Sequence, residues 1–246
     1  ELDAATLDIS GNADIDGTLN TDGLTNAGNF STDGGTIKLD GNYPTGTCNV
    51  ALGDNALGSG SLSGDFNTAV GTNALLANTS ADANTAIGRS SLCSNTTGDC
   101  NTGLGMNALL GNTEGFGNVA VGRSSMVANT TGDDNVAVGQ NSLVSNTTAN
   151  NNTAVGTCSL ASNTTGASNV ALGHDALKLN TTGAQNTAVG MDALRDTTTG
   201  CRNTAMGYNS LVLNTTGICN VSIGRSTLDA NTTGDFNTAV GNSALS

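Results

Sequence analysis

The segment "NTTGDDNVAVGQNSLVSNTTANNNTAVG", from Asn129 to Gly156, contains one residue pattern twice. Its Asn-x-Ala-x-Gly core begins at Asn135 and again at Asn152, 17 residues later. Along the whole chain the first interval between anchor Asn residues is 18, and every later interval is 17. A fixed period this short is typical of structural units stacked along one axis. The anchors are Asn49, Asn67, Asn84, Asn101, Asn118, Asn135, Asn152, Asn169, Asn186, Asn203, Asn220 and Asn237.

The consensus of the repeat is N-[TV]-A-[VLI]-G-x-x-[AS]-L-x-x-N-T-T-G-x-x. Its positions are numbered 1 to 17 from the anchor Asn, and the copies are called coils 1 to 12. Position 4 is always apolar, position 5 is always Gly, and position 9 is Leu except at Met126. One coil is too short to bury a core, whereas coils stacked about 4.8 Å apart can share one. The sequence therefore predicts an all-β solenoid or β-roll, with positions 4 and 9 forming two apolar columns on two short strands.

Other positions of the repeat predict local structure. Gly at position 5 permits a bend or a positive φ, and the Asn columns can hydrogen-bond along the stack. The "NTTG" segment has the composition of a turn in which Gly adopts the left-handed conformation. The segment "NALLAN" (Asn73 to Asn78) fits a second strand or a single helical turn, because periodicity over so few residues does not separate them.

Composition narrows the class of protein. Of the 246 residues 34 are Gly, aromatic residues make up 2% and there is no Trp, which favours a β-solenoid or a fibre over an ordinary globular core. The net charge is −13 and Lys plus Arg number only 7, which argues against nucleic acid and anionic membranes as partners. No apolar run approaches the roughly 20 residues of a membrane span, so we expect no membrane insertion. The chain begins at Glu1 rather than Met, so we expect a fragment or a processed product.

Residues 1–48 lack the 17-residue repeat. The segment "LDISGNADIDGTLNTDGL" (Leu7 to Leu24) alternates apolar and polar residues, and Gly recurs about every six residues. We expect two domains: a thin β-helical or β-prism segment over 1–48, and a twelve-copy solenoid over 49–246 whose last copy is partial.

The core "NTAVGTNALLANT" (Asn67 to Thr79) resembles the head repeat of trimeric autotransporter adhesins, in which a short repeat forms a parallel β-roll and three chains pack together. The strand half matches, whereas "NTTGD" lengthens the turn by about three residues. The 17-residue form that follows "ISGNADIDGTL" is also similar to repeats of phage and large-virus tail fibres, which are trimeric and bind host surfaces. The resemblance implies a homotrimeric virion or extracellular fibre and identifies no binding residue.

Catalytic and metal-binding residues are not expected. The lone His174 occupies a variable position, and the only Glu residues are Glu1 and Glu114, so the paired carboxylates of a glycan-cleaving fibre are missing. Four Asp residues follow "NTTG" and could offer oxygen ligands to Ca²⁺, but they are also ordinary turn residues. They are Asp99, Asp133, Asp134 and Asp235. We predict no enzyme activity and no cofactor.

The six cysteines have no zinc-binding spacing. Cys201 and Cys219 are 18 residues apart, or one coil plus one residue, and are a candidate disulfide. Cys93 and Cys100 flank a single turn and form a second candidate pair. Such pairs would suit an oxidising exterior.

Two further features concern the surface. "NTT" is a formal N-glycosylation acceptor that recurs at Asn95, Asn129, Asn146, Asn163, Asn180, Asn214 and Asn231, although the same residues suit a turn. Position 6 is the most variable column of the repeat, so we expect it to face solvent and to be a candidate partner-binding column. Its candidate residues are Arg89, Met106, Arg123, Gln140, His174, Met191, Tyr208 and Arg225.

These observations predict a structural fibre protein of a phage or virus tail, forming the shaft or head, located in the virion and taking part in host attachment. Its partners would be two further copies of itself and a host cell-surface receptor such as a glycan. The alternatives are the head of a bacterial trimeric surface adhesin, located at the cell surface, and a passive extracellular structural filament.

Overall fold

The computed structural model describes residues 47–59 and 62–246, which all fall within one compact unit. The predicted N-terminal segment, apart from its last two residues, lies outside the described residues. Each coil contributes one strand at positions 2 to 4, and no helix occurs in the described part of the chain. The strands are β1 (Val50–Leu52), β2 (Thr68–Val70), β3 (Thr85–Ile87), β4 (Thr102–Leu104), β5 (Val119–Val121), β6 (Val136–Val138), β7 (Thr153–Val155), β8 (Val170–Leu172), β9 (Thr187–Val189), β10 (Thr204–Met206), β11 (Val221–Ile223) and β12 (Thr238–Val240).

The twelve strands form one parallel sheet in chain order. Equivalent positions of successive coils pair with each other, as Ala137 does with Ala154. The extra residue of the first coil does not disturb this register, because Val50 still pairs with Thr68. Eleven steps of about 4.8 Å give a rod roughly 53 Å long. The predicted all-β solenoid with 17-residue coils is confirmed.

The apolar core consists of the small residue at position 3, the Ala found at position 8 in several coils, and the Leu at position 9. Ala154 and Leu160 are both completely buried, as are their equivalents in most coils. The strand and the turn segment that faces it across the interior lie close together. A hydrogen bond shows this: the Ser91 hydroxyl at position 8 donates to the carbonyl of Gly103 at position 3 of the next coil (2.9 Å). Ala is therefore the usual residue at position 3, and the large core side chain comes from position 9.

The prediction that positions 4 and 9 form two apolar columns on two strands is wrong in two respects. Side chains alternate along a strand, so an inward position 3 turns position 4 outward. Ile87 and Leu104, both at position 4, are exposed. Position 9 lies on no strand: positions 6 to 11 form consecutive turns, with left-handed residues at positions 7 and 9, such as Asn141 (φ 55°) and Leu143 (φ 48°). The segment equivalent to "NALLAN" is thus neither a second strand nor a helical turn.

The two predictions about Gly have different outcomes. Position 5 has a positive φ throughout, for example 136° at Gly156, as predicted. The Gly of "NTTG" at position 15 is not left-handed; the left-handed residue is position 17, such as Asp134 (φ 54°). Position 15 is instead close to the backbone of the neighbouring coil. Its carbonyl oxygen accepts hydrogen bonds from two Asn side chains, as Gly166 does from Nδ2 of Asn152 (3.0 Å) and Nδ2 of Asn163 (2.9 Å). A small residue, Gly or Ala, therefore suits this position, and a left-handed backbone does not explain the Gly.

Two buried Asn ladders run along the stack, as predicted. At position 1, the Asn152 backbone N–H and side-chain Nδ2 both donate to Asn135 Oδ1 (2.9 and 3.2 Å). At position 12, Asn146 Nδ2 donates to Asn129 Oδ1 (2.8 Å). Each side chain therefore links three consecutive coils, and its amide is satisfied without water.

The position-12 ladder is interrupted at Thr197. Asn180 Oδ1 is buried and has no hydrogen-bond partner, because the next coil supplies no amide donor. On the other side, Asn214 Nδ2 lies 3.5 Å from Thr197 Oγ1, which is a long contact. The side-chain hydrogen bonding between this coil and its two neighbours is therefore weaker than elsewhere in the ladder.

We expect Thr197→Asn to raise the free energy of unfolding by about 1–3 kcal/mol, because it provides a donor for a buried unsatisfied oxygen. The matched variant Asn163→Thr introduces a second interruption in an intact part of the ladder and should lower stability by a similar amount. Urea unfolding followed by circular dichroism measures both changes. If both variants changed the free energy of unfolding in the same direction, the Asn ladder would not be the cause of the changes.

Candidate interaction surfaces

The outward side of the sheet, called the outer sheet face, is formed by positions 2 and 4. Position 2 is Val or Thr and is mostly half-buried, whereas position 4 is apolar in every coil. Position 4 is exposed or half-buried throughout, with Leu104 and Met206 each 43% exposed. A continuous apolar column of twelve residues is a signal for association. The column is Leu52, Val70, Ile87, Leu104, Val121, Val138, Val155, Leu172, Val189, Met206, Ile223 and Val240.

Position 6, the predicted variable column, borders this face where each strand ends. It directly follows the position-5 Gly, and all its members are exposed except Met106, which is half-buried. Neighbouring members touch: Arg89 Nη2 lies 3.8 Å from Met106 Sδ, and the Arg225 guanidinium lies 6.0 Å from the centre of the Tyr208 ring. The latter distance suits a cation–π contact. The column therefore faces solvent, as the sequence predicted, and its role in binding a partner stays a prediction.

Position 16 borders the opposite side of the outer sheet face, two residues before the next anchor Asn. Where position 16 is Asp, its Oδ1 accepts a hydrogen bond from a backbone N–H of the preceding coil. The pairs are Asp99 with the N–H of Asp82 (2.7 Å), Asp133 with that of Phe116 (3.0 Å) and Asp235 with that of Ile218 (2.7 Å). Asp134 lies at position 17 and is exposed. No group of three or more His, Cys, Asp or Glu side chains that could hold a metal occurs in the described residues. Asp99, Asp133 and Asp235 thus have a structural role as caps between coils.

A charged cluster on coils 8 and 9 was not identified from the sequence. Lys178 Nζ lies 3.0 Å from Asp175 Oδ2, and Arg195 Nε lies 2.7 Å from Asp196 Oδ1. The hydrogen bond that Lys178 donates to Asp175 raises the pKa of Lys178, and the hydrogen bonds that Arg195 donates to Asp196 raise the pKa of Arg195. The spacing signal was present, since "DALK" and "DALR" place opposite charges three residues apart. Its pairs are partly exposed and contribute little to stability.

His174 lies beside this cluster. Its side chain is exposed, and Nδ1 is 3.7 Å from Asp175 Oδ2. That position agrees with an exposed loop His.

All six cysteines are free thiols in the structure. Cys219 donates its backbone N–H to the carbonyl of Cys201 (3.0 Å), so this candidate pair lies in adjacent coils. Cys93 is half-buried at position 10, and burial raises its pKa. Its candidate partner Cys100 is exposed at position 17, close to the start of the next strand. Both disulfides stay predictions.

The recurring "NTT" acceptor sites are not accessible in the folded chain. Their Asn residues are the position-12 ladder, and all are completely buried except Asn231, which is half-buried. The amide nitrogen that a glycan would occupy instead donates to the preceding coil, as Asn163 Nδ2 does to Asn146 Oδ1 (3.0 Å). The turn interpretation therefore holds for the folded state.

Within the described residues, no helix is both long and apolar enough to cross a lipid bilayer. No protein-family model, curated protein or solved structure matches the chain.

Proposed function

We propose that the chain is a non-catalytic structural rod that packs with two further copies of itself. In this proposal the rod is the shaft or head of a phage or virus tail fibre and takes part in attachment to a host cell. The observation that carries the proposal is the apolar position-4 column on the outer sheet face. The fibre class comes from the resemblance of "NTAVGTNALLANT" and the 17-residue repeat to such proteins.

The physical argument for self-association rests on exposed area. Fully burying a Val, Leu, Ile or Met side chain contributes about 1.5–3 kcal/mol, and position 4 leaves an appreciable part of twelve such side chains in water. The column runs along the whole described length of the rod. A second copy of the chain carries the same column, so the two apolar surfaces have the same length and spacing. Packing several outer sheet faces around a common axis would bury all of the columns together.

The second candidate is the head of a bacterial trimeric surface adhesin. The strand half of the repeat, Asn-x-Ala-x-Gly with an apolar position 4, favours it. Both candidates share the self-associating rod and differ in where it is attached. In either case the host receptor, such as a glycan, would meet an exposed surface like the position-6 column.

The decisive measurement is the mass in solution by light scattering, with and without reductant, against the 24.2 kDa chain. We expect three chains in both conditions, because apolar packing rather than disulfides holds the copies together. A mass of one chain would contradict the proposal. A mass that grows without limit would favour a passive filament.

A pair of variants locates the interface. Val138→Lys with Val155→Lys places two charges in the apolar column, and we expect the mass to fall to one chain while the circular dichroism spectrum is kept. The matched control is Thr148→Lys with Thr165→Lys, which adds the same charge at exposed position 14, away from the outer sheet face. The control variant should have the same three-chain mass that we expect for the protein without substitutions. Equal loss in both variants would rule out this face as the interface.

Attachment needs its own test. Fluorescently labelled protein is incubated with a panel of bacterial strains and a glycan array, with position-6 variants as comparison. Binding that depends on position 6 would support attachment. Absence of binding throughout would contradict it, while the structural role would be judged by the mass measurement alone.

A further inference from the structure

The side of each coil opposite the outer sheet face, called the turn face, is formed by positions 7, 10 and 11. None of these positions lies on a strand, so packing of the outer sheet faces would leave the turn face exposed. Position 11 is Ala, Ser or Gly in coils 2 to 7, and position 10 carries no charged residue in the same coils. These six coils form the same fold as the others, so the fold requires neither a large residue at position 11 nor a charge at position 10.

Coils 8 to 11 depart from this pattern. Position 11 is large in coils 8, 9 and 10, and position 10 is charged in coils 8, 9 and 11. Because coils 2 to 7 fold without such side chains, these residues are candidates for a role at the surface. They are Leu179, Asp196 and Leu213 at position 11, and Lys178, Arg195 and Asp229 at position 10.

A gap in the hydrogen bonding of the stack lies in the same region. In coils 2 to 9 the position-11 N–H donates to the position-10 carbonyl of the next coil, as Asp196 does to Val212 (3.0 Å). The next such bond, from the Leu213 N–H to the Asp229 carbonyl, is not formed, and within residues 62–246 neither group has another backbone partner. A backbone donor and a backbone acceptor are therefore open to a ligand or to water between coils 10 and 11.

A groove on the turn face lies at this gap and is open to solvent. Its volume is about 340 Å³, at the lower end of the range for small-molecule sites. Its lining combines three polar side chains with three apolar ones, and it includes both residues of the missing bond. The lining residues are Arg195, Asn209 and Asp229, with Val212, Leu213 and Ala230.

The polar side chains of the groove have hydrogen-bonding capacity left. Arg195 uses Nε and Nη2 for Asp196 (2.7 and 3.0 Å). Its Nη1 lies 3.9 Å from Asp192 Oδ1, which is too long for a hydrogen bond. Asp229 forms no ion pair with another described residue. The groove therefore offers a guanidinium donor and a carboxylate acceptor, and the amide of Asn209 can act as either.

We infer that the groove between coils 10 and 11 binds a neutral saccharide of a host-cell surface. This rests on the proposed function, because it assigns a place and a ligand class to host attachment. The apolar C–H face of a sugar ring would lie against Val212, Leu213 and Ala230. Its hydroxyl groups, each a donor and an acceptor, would bind the mixed donors and acceptors around the gap.

Charge and hydrogen-bonding capacity select this class of ligand. Asp196 and Asp192 both lie beside Arg195, at 2.7 and 3.9 Å. With Asp229, three carboxylates share one cation, so a sulfate, a phosphate or an acidic sugar would meet excess negative charge. A Lys or Arg side chain of a protein partner would use only the acceptors and would leave the donors of the groove without partners.

A glycan array tests the site with a variant built from the chain's own repeat. Arg195→Val with Asp229→Val removes two polar groups of the groove, and Val already occupies position 10 in coils 5, 6 and 10. We expect the unmodified protein to bind neutral hexose or N-acetylhexosamine oligosaccharides, and the variant to bind them at least about tenfold more weakly. Circular dichroism and thermal unfolding should show that the variant keeps the fold.

The matched control removes the same charges elsewhere. Arg202→Gln with Asp134→Asn changes exposed residues at position 17, where Gln and Asn already occur in coils 8 and 6. Binding by the control should change by less than about twofold. Binding to acidic glycans alone, undiminished binding by the groove variant, or equal loss in variant and control would each overturn the inference.

Hydrogen exchange examines the gap directly. Without ligand, the Leu213 N–H should exchange faster than that of Ser145, the equivalent residue in coil 6, which donates to the Ala161 carbonyl (3.2 Å). A saturating neutral oligosaccharide selected on the array should slow exchange at Leu213 and leave Ser145 unchanged. Unchanged exchange at Leu213 with the oligosaccharide bound would place the ligand elsewhere and overturn the inference.

The inference and the proposed function fail differently. A protein that binds neutral glycans through position 6 and not through the groove keeps host attachment and overturns the groove site. A protein that binds no glycan overturns the groove site, and binding to bacterial strains then decides whether attachment stands. The mass in solution tests the self-associating rod independently of both.

Discussion

Replacing Asn152 by Asp should lower the free energy of unfolding by at least about 3 kcal/mol at pH 7. The side chain is completely buried, and its Nδ2 donates to Asn135 Oδ1 and to the carbonyl of Gly166. In the variant a carboxylate oxygen would face these two acceptors, and a charge would be buried without a counterion. The two donors from Asn169, its backbone N–H (2.9 Å) and Nδ2 (3.2 Å), offset only part of this cost.

The loss should depend on pH in a defined direction. Burial and facing acceptors favour the neutral acid, so the folded-state pKa of the introduced carboxyl lies above its unfolded value of about 3.9. Such a group contributes stability that is fully present below the unfolded pKa and is lost as pH rises through the folded pKa. The difference in stability between the variant and the unmodified chain should therefore be smallest near pH 3 and largest at pH 7.

The neighbouring residue provides the control. Asn151 is exposed, and Asp is tolerated at its positive φ of 61°. Asn151→Asp makes the same chemical change and should alter stability by less than about 0.5 kcal/mol. Urea unfolding of both variants between pH 3 and pH 7 checks the prediction. A pH-independent loss in Asn152→Asp would refute the buried-charge explanation.

The ladder and the period could be predicted from the sequence because both are properties of a column of residues. An invariant Asn every 17 residues has few explanations other than repeated contacts between stacked coils. The direction of position 4 could not be predicted, because a core and an outer face that associates both require apolar residues. Only the pairing of Leu160 with the small Ala154 in a narrow interior shows which column is buried.

The backbone of the second half was also beyond sequence reasoning. Left-handed conformation is usually signalled by Gly or Asn, yet position 9 is Leu and position 17 includes Arg202 and Phe236. At Leu143 the φ of 48° is stabilised by complete burial of the side chain and by the hydrogen bond from its backbone N–H to the carbonyl oxygen of Ser159 (3.0 Å). Closure of a 17-residue coil imposes these conformations, so the contacts of the stack override local preference.

Exposure of position 6 could be predicted from its variability, and the structure agrees.

Replacing Gly156 by Ala should have the second large effect, a loss of at least about 3 kcal/mol. Its φ of 136° is strained for any residue with a Cβ. An added Cβ would also lie only 2.6 Å from the Gly173 carbonyl carbon, so the next coil would have to move away. The resulting break would separate coils 1–7 from coils 8–12, because each coil contacts only its neighbours.

Gly166→Ala separates this conformational effect from a general intolerance of larger residues. An added Cβ at Gly166 would also meet the next coil, at the Gly183 carbonyl oxygen, but its φ is ordinary, and Ala149 occupies the same position one coil earlier. We therefore expect a clearly smaller loss for this control than for Gly156→Ala. Thermal unfolding compares the two variants, and hydrogen exchange should show lost protection around Gly173 in Gly156→Ala alone. Similar losses in both variants would mean that crowding between coils, rather than the positive φ, makes Gly necessary at position 5.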